Sequence, residues 1–192
     1  MIRAMMRRAH WLAAALLLLL AALACSQPRW SGVLFDFESE AELDEFRWKC
    51  GQLFSLTEEH ATHGRHCLRL EVRPVAKYSG LRPGLTNHDW SNFSALCFDA
   101  YNPQGQPVRV TVRLDDVRDR ADYGDRFNHA VILAPGFSRV RLPLAGLTTS
   151  NGRRRLDLAD IWALRIFMAR PPRPTVLYLD YLHLEVASRH GQ

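Results

Sequence analysis

Apolar and polar residues alternate with a period of two along most of the chain beyond its first 31 residues. The clearest example is 108–114, where Arg109, Thr111 and Arg113 alternate with valine and leucine. A period of two predicts β-strands with one face toward a core and the other toward solvent. About nine strands are predicted, over 32–38, 46–57, 67–72, 95–101, 108–114, 129–133, 138–142, 163–168 and 175–186.

Helical structure is predicted only in short pieces, over 39–46 and 156–162. In the first piece Ser39 is a candidate N-cap, and Glu42 follows at the capping-box spacing. Segment 74–87 is rich in glycine and proline and is predicted to be irregular. The chain therefore has no long amphipathic helix.

Short strands separated by turns, without a long helix, are typical of two packed sheets. We therefore predict an all-β fold, an antiparallel two-sheet β-sandwich of the jelly-roll kind. The length fits one domain, which we place over 33–187, with a flexible tail over 188–192.

The first 24 residues are predicted to be an export signal. A positively charged start precedes an apolar run over 11–23, which is too short to span a bilayer. Small residues at Ala22 and Ala24 fit cleavage after Ala24 and release into the periplasm. Cys25 at the cleavage point instead resembles the acylated cysteine of a bacterial lipoprotein, although Ala22 departs from the usual leucine. We favour lipidation of Cys25, with a tether over 25–32 and a place in the cell envelope, as an outer-membrane lipoprotein or in the periplasm.

The net charge of +5 is misleading, since three of the arginines lie in the predicted signal. About two positive charges remain on the rest of the chain. Together with export, this argues against a nucleic-acid partner. The run Arg153-Arg154-Arg155 is interpreted as a solvated loop.

Cys50, Cys67 and Cys97 remain if Cys25 carries lipid. In an oxidising compartment the simplest interpretation is one disulfide and one buried thiol. Cys67 and Cys97 are both predicted on outward strand positions and could face each other across neighbouring strands. Three free thiols are the alternative.

Several short motifs follow one another in an order that resembles a known group of folds. They are Phe35-Asp-Phe-Glu38, His63-Gly-x-x-Cys-Leu-Arg-Leu70, Asp89-Trp-Ser, Leu96-x-Phe-Asp-x-Tyr-Asn-Pro103 and Leu177-Tyr-Leu-Asp-Tyr181. The order resembles the galactose-binding-like jelly rolls, which include many carbohydrate-binding modules. The resemblance covers about 33–186. It implies the sandwich more firmly than a function, because this architecture serves several roles.

The same resemblance implies a structural calcium ion that joins the chain ends. The corresponding ligands are Asp36 or Glu38 from the first strand and Asp180 from the last. A hard cation prefers several carboxylate and carbonyl oxygens. The alternative is that Asp180 accepts a backbone hydrogen bond and Glu38 is solvated.

A ligand site is predicted on the outward strand faces and on the charged loop 115–126. Planar polar side chains bind sugar hydroxyls, and an aromatic ring covers the apolar face of a pyranose. Arginines on this surface would favour an acidic glycan. The alternative is that Arg113, Asp115 and Arg126 pair with one another. The predicted ligand-binding residues are Tyr101, Arg109, Arg113, Asp115, Arg126 and Asn128.

Aromatic residues separate the two leading functional hypotheses. A non-catalytic carbohydrate-binding module requires exposed rings on the concave face, with Tyr78, Trp90, Tyr123 and Trp162 as candidates. The alternative is a module that docks a cell-envelope protein, which requires an apolar patch on a flat or convex face.

Enzymatic function is not expected. The carboxylates of loop 115–126 could supply a glycosidase acid and base, but all come from one loop and lie near arginines. No nucleophile elbow, phosphate-binding loop, dinucleotide fingerprint or zinc-protease motif is present. His60, His63 and His66 have metal-like spacing, but Gly64 and the following strand favour an ordinary surface turn.

The predicted anchor is directly testable. Metabolic labelling with a radioactive or clickable fatty acid should label the wild-type chain, because Cys25 is the acceptor. The Cys25→Ser variant should stay unlabelled and lose its membrane association. An unlabelled wild type would refute the anchor and leave the periplasmic alternative.

Overall fold

A computed structural model of the chain describes residues 32–47, 51–118 and 122–187. The predicted signal, Cys25, Cys50 and the tail lie outside the described residues. The strands are β1 (Val33–Phe35), β2 (Gln52–Thr57), β3 (Cys67–Val72), β4 (Tyr78–Leu81), β5 (Phe93–Asn102), β6 (Val108–Asp115), β7 (Phe127–Leu133), β8 (Gly136–Pro143), β9 (Ala163–Ala169) and β10 (Thr175–Val186). One helical turn, α1 (Ala41–Asp44), and one 3₁₀ turn, Tyr123–Asp125, complete the described elements.

The strands form two antiparallel sheets, which confirms the predicted sandwich. The larger sheet has the order β2-β3-β10-β5-β8, with β1 also paired to β10. The smaller sheet has the order β4-β9-β6-β7. Among the described residues, none of the helical segments is long and apolar enough to cross a bilayer.

Alternation builds the core as predicted. On β6 the side chains of Val110, Val112 and Leu114 are buried, and the intervening residues face outward. On β9 Leu164 and Ile166 point inward in the same way. Burial of each such side chain contributes about 1.5–3 kcal/mol.

Strand β4 was not predicted, because it lies inside the glycine- and proline-rich segment 74–87. Only four residues long, it pairs with β9 over its whole length. The predicted strand 46–57 is shorter in the structure, and the predicted helical piece 156–162 is a turn in the structure. The sequence pattern missed β4 because its pairing with β9 outweighs the glycine and proline residues around it, which usually interrupt strands.

The two described cysteines are not cross-strand partners. Cys67 lies on β3 and Cys97 on β5, and β10 runs between these strands. Both thiols are free and buried, so the expectation of two facing cysteines is wrong. Burial raises the pKa of the Cys67 thiol to about 12 and that of Cys97 to about 11.

The carboxylate of Glu42 is unusual among the acids of the fold. It accepts hydrogen bonds from the backbone N–H of Phe37 at 2.6 Å and of Asp36 at 3.4 Å, whereas Ser39 Oγ accepts one from Ala41 N–H. The predicted reciprocal capping box is therefore replaced by two separate contacts. Burial, followed by the nearby Asp36 carboxylate, raises the pKa of Glu42 from 4.5 to about 7.

This shift predicts a pH dependence of stability. Between pH 4.5 and about 7 the folded chain keeps a proton that the unfolded chain has released, so stability falls as pH rises through this window. Discounted for partial solvent screening, the penalty at pH 8 is about 1 kcal/mol. Glu42→Gln should therefore increase the free energy of unfolding by about that amount at pH 8 and very little at pH 4.

Urea denaturation at the two pH values measures the effect. The matched control is Glu40→Gln, at an exposed carboxylate two residues earlier. An equal gain for Glu42→Gln at both pH values would contradict the assignment.

Candidate functional site

A groove crosses the outward face of the smaller sheet. Because Leu114 and Ile166 point into the core, the alternating residues Arg113 and Arg165 point outward into this groove. Gln52 of β2 and Arg82, just after β4, close one side. The groove is lined by Arg47, Gln52, Tyr78, Gly80, Leu81, Arg82, Arg113, Tyr123, Arg126, Asn128, Arg165 and Phe167.

Aromatic rings form part of the groove wall. Tyr78 and Phe167 meet edge to face with their centroids 5.6 Å apart. Tyr78 is 50 % exposed, and Tyr123 is 71 % exposed. An adjoining depression of about 530 Å³ shares Tyr78, Tyr123 and Phe167 with the groove, within the ~300–1,000 Å³ usual for ligand sites.

Gly80 allows this wall to form. A Cβ at Gly80 would lie 2.2 Å from the carbonyl oxygen of Ile166 and 2.4 Å from Cα of Phe167. The Gly80 N–H donates a 3.0 Å hydrogen bond to Oε1 of the buried Gln52. A residue without a side chain therefore brings β4 close to β9 and sets Tyr78 beside Phe167.

Arg113 and Asp115 form the ion pair that the sequence left as an alternative. Arg113 Nε donates to Asp115 Oδ1 at 2.8 Å, and Nη2 donates to Oδ2 at 2.6 Å. Asp115 is buried, so its carboxylate lies beneath the groove, bound to Arg113, and is not part of the groove lining. A bidentate pair of this kind fixes the guanidinium plane.

Arg154 ties the charged loop together, which the predicted solvated run of arginines did not anticipate. Its Nε donates to Asp125 Oδ1 at 2.6 Å, its Nη2 donates to Asp116 Oδ1 at 2.8 Å, and its Nη1 bonds the second Asp116 oxygen. The Asp157 N–H also donates to Asp116, at 2.8 Å. Burial works to raise the pKa of Asp116, but these hydrogen bonds outweigh it and hold the pKa below its usual value. We call these four residues the Arg154 cluster.

Arg165 is the unusual member of the groove. Its Nε is buried and has no hydrogen-bond partner among the described residues. Burial, and then the neighbouring charges of Arg113 and Arg82, lower the pKa of Arg165 to about 10. Burial likewise lowers the pKa of Arg82, with a further contribution from Arg47.

Some of the predicted ligand-binding residues lie together in or beside the groove, and the others do not. Arg113, Arg126 and Asn128 line the groove, and Arg109 lines the adjoining depression. Tyr101 lies on β5 in the larger sheet, where its ring stacks on His60 with centroids 3.6 Å apart. The expectation that outward residues of β5 and β6 share one concave surface is therefore wrong, because the two strands belong to different sheets.

The four candidate aromatic residues differ in exposure. Tyr78 and Tyr123 are exposed at the groove, whereas Trp90 is fully buried and donates its indole N–H to the Asn87 carbonyl oxygen. Trp162 is half-buried beside His88 and Arg118. Sequence reasoning missed Arg47 and Arg82, and no sequence signal pointed to Arg82, because the strand β4 that precedes it was not predicted.

The predicted calcium ligands bind backbone amides. Asp180 Oδ2 accepts the N–H groups of Thr62 at 2.6 Å and His63 at 2.9 Å. Glu38 Oε1 accepts those of Arg65 and His66 at 2.9 and 2.8 Å. Asp36, the third candidate, accepts the N–H of Glu38.

These contacts account for Asp180 and Glu38 without a metal ion. Across the described ranges, no three histidine, cysteine, aspartate or glutamate side chains are grouped to hold one. Calcium therefore stays a prediction from the resemblance alone. The three histidines of 60–66 also diverge, since His60 stacks on Tyr101 and His63 on Tyr181.

Solved structures share this fold. The family 11 carbohydrate-binding module of Clostridium thermocellum, in complex with a β-1,3-1,4-mixed-linked tetrasaccharide, superposes with a TM-score of 0.63 at 15% identity, covering 83% of this chain and 97% of the module. The agarase AgWH50C gives a TM-score of 0.63 at 16% identity, covering 82% of this chain but 26% of the enzyme.

A third similar structure is the CBM22-1 xylan-binding domain of Paenibacillus barcinonensis Xyn10C, with a TM-score of 0.55 at 15% identity, covering 79% of this chain and 90% of that domain. No protein-family model and no curated protein matches the sequence. These similarities confirm the jelly-roll fold of carbohydrate-binding modules.

The Arg154 cluster predicts a large difference between two adjacent arginines. Arg154→Met would leave the Asp116 carboxylate, whose side chain is 1 % exposed, without its cationic partner. We expect a loss of about 2–3 kcal/mol in the free energy of unfolding. Arg153→Met, at the exposed neighbour, should change it by less than about 0.5 kcal/mol. Chemical denaturation of both variants is the measurement, and equal losses would contradict the role of Arg154.

Proposed function

We propose that this chain is a non-catalytic glycan-binding module whose site is the groove of the smaller sheet. The observation that carries the proposal is the combination of exposed aromatic rings with planar polar side chains in one depression. Tyr78 and Tyr123 offer ring surface, and Arg113 and Asn128 offer hydrogen-bond donors beside it. A pyranose has an apolar face for the rings and hydroxyls for the donors.

The similar structures support this choice of ligand class. One is a module in complex with a mixed-linked tetrasaccharide, and another is a xylan-binding domain. The agarase is an enzyme of which this chain resembles about a quarter, so an enzymatic role does not follow from it.

Absence of catalysis is part of the proposal and has a physical basis. Asp115 is bound to Arg113, and Asp116 and Asp125 are both bound to Arg154. A glycosidase needs a proton donor whose pKa is raised and a second, available carboxylate. The arginine contacts hold the pKa of Asp116 below its usual value and occupy carboxylate oxygens of all three acids.

The proposal also includes export and attachment to the membrane through Cys25. Its basis is the sequence pattern of the first 25 residues. A lipid anchor with a short tether would hold the groove at the cell envelope, where polysaccharides are accessible. A structural calcium ion is not required for this function, since the loop it would join is bound by Asp180 and Glu38.

A second candidate function, docking of a cell-envelope protein, rests on a different surface. Phe137 on β8 is 60 % exposed, and its ring lies 4.7 Å from Tyr101 and 6.0 Å from His60. This aromatic cluster belongs to the larger sheet, away from the groove strands. It gives the docking hypothesis an apolar patch.

The two functions are distinguished by a matched pair of variants. Tyr78→Ala should weaken binding to a responsive polysaccharide by roughly tenfold, as expected for an aromatic contact at the centre of an interface. Phe137→Ala removes a similarly exposed ring from the larger sheet and should leave glycan binding unchanged. Isothermal titration against soluble β-glucan, xylan, agarose, pectin and alginate fragments measures both.

The outcome decides between the hypotheses. Failure of the wild type to bind any member of the panel would reject the glycan function. Equal weakening by both substitutions would show that the groove is not the site.

A further inference from the structure

The charge of the groove is entirely of one sign. Every charged side chain lining it is an arginine: Arg47, Arg82, Arg113, Arg126 and Arg165. The adjoining depression adds Lys77, Arg109 and Arg170, and in neither lining is there an aspartate or glutamate among the described residues. Eight positive side chains therefore line the groove and the adjoining depression.

The acids nearby do not neutralise this charge. Asp115 pairs with Arg113 and also favours the charged forms of Arg165 and Arg82, but burial and the neighbouring arginines outweigh it, so the pKa of both stays lowered. The acids of the Arg154 cluster are bound to Arg154, which lies outside the groove lining. For Arg165, Arg82 and Arg47 the described part of the chain provides no carboxylate within ion-pair distance. The groove therefore retains an excess of positive charge.

Retaining this charge is costly in the ligand-free protein. Arg165 is partly desolvated, its Nε has no hydrogen-bond partner among the described residues, and the charges of Arg113 and Arg82 repel it. A buried polar group without a partner usually destabilises a protein. Its charged form nevertheless dominates at neutral pH, since the pKa is about 10. Groups that are unfavourable in the free protein often become favourable once a ligand is bound.

We propose that the ligand of the groove is an anionic polysaccharide, whose carboxylate or sulfate groups pair with Arg165 and Arg82 while Tyr78 contacts a sugar ring. This inference rests on the proposed glycan-binding function and specifies its ligand. Guanidinium groups bind carboxylate and sulfate oxygens through paired hydrogen bonds, which neutral hydroxyls do not match.

The shape of the basic surface fits a polymer better than a single anion. Arg165 and Arg82 lie in the groove, and Arg109 and Arg170 extend the basic lining through the adjoining depression. Tyr78 and Phe167 are shared by both regions, so the two basic linings adjoin at these rings. An extended polyanion could contact both linings at once, which a single small anion could not.

The test compares ligands of known charge on the full chain. Biosensor surfaces carry polygalacturonate and alginate as carboxylated polymers, dextran sulfate and carrageenan as sulfated ones, and mixed-linkage β-glucan, xylan and agarose as neutral ones. Single-stranded DNA and anionic phospholipid vesicles complete the set. We expect at least about tenfold tighter binding to one anionic class than to any neutral polymer, falling steeply with added salt.

Each result has a distinct meaning. Preference for the carboxylated or the sulfated polymers supports the inference and identifies the anion. Equal or tighter binding to neutral polymers overturns the inference but leaves the proposed function intact. No binding to any polysaccharide rejects both. Binding to DNA or to vesicles as tight as to the best polysaccharide overturns the inference in favour of a general anion surface.

A matched pair of variants locates the site. Arg165→Gln and Arg139→Gln each remove one positive charge, but Arg139 lies on the larger sheet, exposed and paired with Asp99 at 3.1 Å. We expect Arg165→Gln to weaken binding of the preferred anionic polymer at least about tenfold, and Arg139→Gln to have little effect. Equal effects of the two substitutions would overturn the assignment.

Stability provides a second readout that a purely structural arginine would not give. Because Arg165 is unfavourable in the free protein, Arg165→Gln should unfold at the same or a higher temperature than the wild type while binding more weakly. Arg165→Lys keeps the positive charge but lacks the planar guanidinium group. It should therefore bind the anionic polymer more tightly than Arg165→Gln and more weakly than the wild type. A lower melting temperature for Arg165→Gln, together with unchanged binding, would show that Arg165 serves the fold alone.

Discussion

The pairing of Arg154 with Asp116 and Asp125 is the interaction on which the groove depends. Three hydrogen bonds to one guanidinium bind two carboxylates of a loop that would otherwise supply negative charge to the adjacent groove. The same contacts hold the 3₁₀ turn that carries Tyr123. One arginine outside the groove thus fixes part of its wall and binds two carboxylates that are not part of the groove lining.

The larger sheet provides the second constraint, through the long strand β10. One edge of β10 pairs first with β3 and then with β1. On the other edge, the register of β10 with β5 shifts between Asp180 and His183. At that shift Asp180 accepts the N–H groups of Thr62 and His63, which attaches the 60–66 loop to the centre of the sheet. The Asp180 carboxylate thus joins a loop to the sheet by accepting backbone N–H groups, a role that a bound cation can play between several carboxylates. The 60–66 loop is therefore held to the larger sheet by hydrogen bonds, and the proposed groove lies on the other sheet.

The sequence predicts strands well where one face is buried and poorly where pairing is decided at a distance. β3 and β10 have the predicted bounds. Alternation is complete along β3, whereas along β10 it changes phase between Leu179 and Leu182, at the register shift. β4 has four residues and includes Gly80, so its existence depends on contact with β9, which no local pattern records. The same limit applies to the site. Arg113, Arg126 and Asn128 were predicted because they lie on or near β6 and β7, but Tyr101 was misplaced because alternation specifies a face without specifying the sheet.

The charge arrangement also bears on how tightly a ligand can bind. Folding has already oriented Arg113 through Asp115 and desolvated part of Arg165, so these costs are not incurred again at binding. An anion placed among these groups relieves the repulsion between Arg165, Arg113 and Arg82, and the relief adds to the binding free energy. A neutral sugar would gain the ring contacts with Tyr78 but would leave the repulsion in place. The physical difference between the two kinds of ligand therefore lies less in the contacts they make than in the unfavourable interactions they remove.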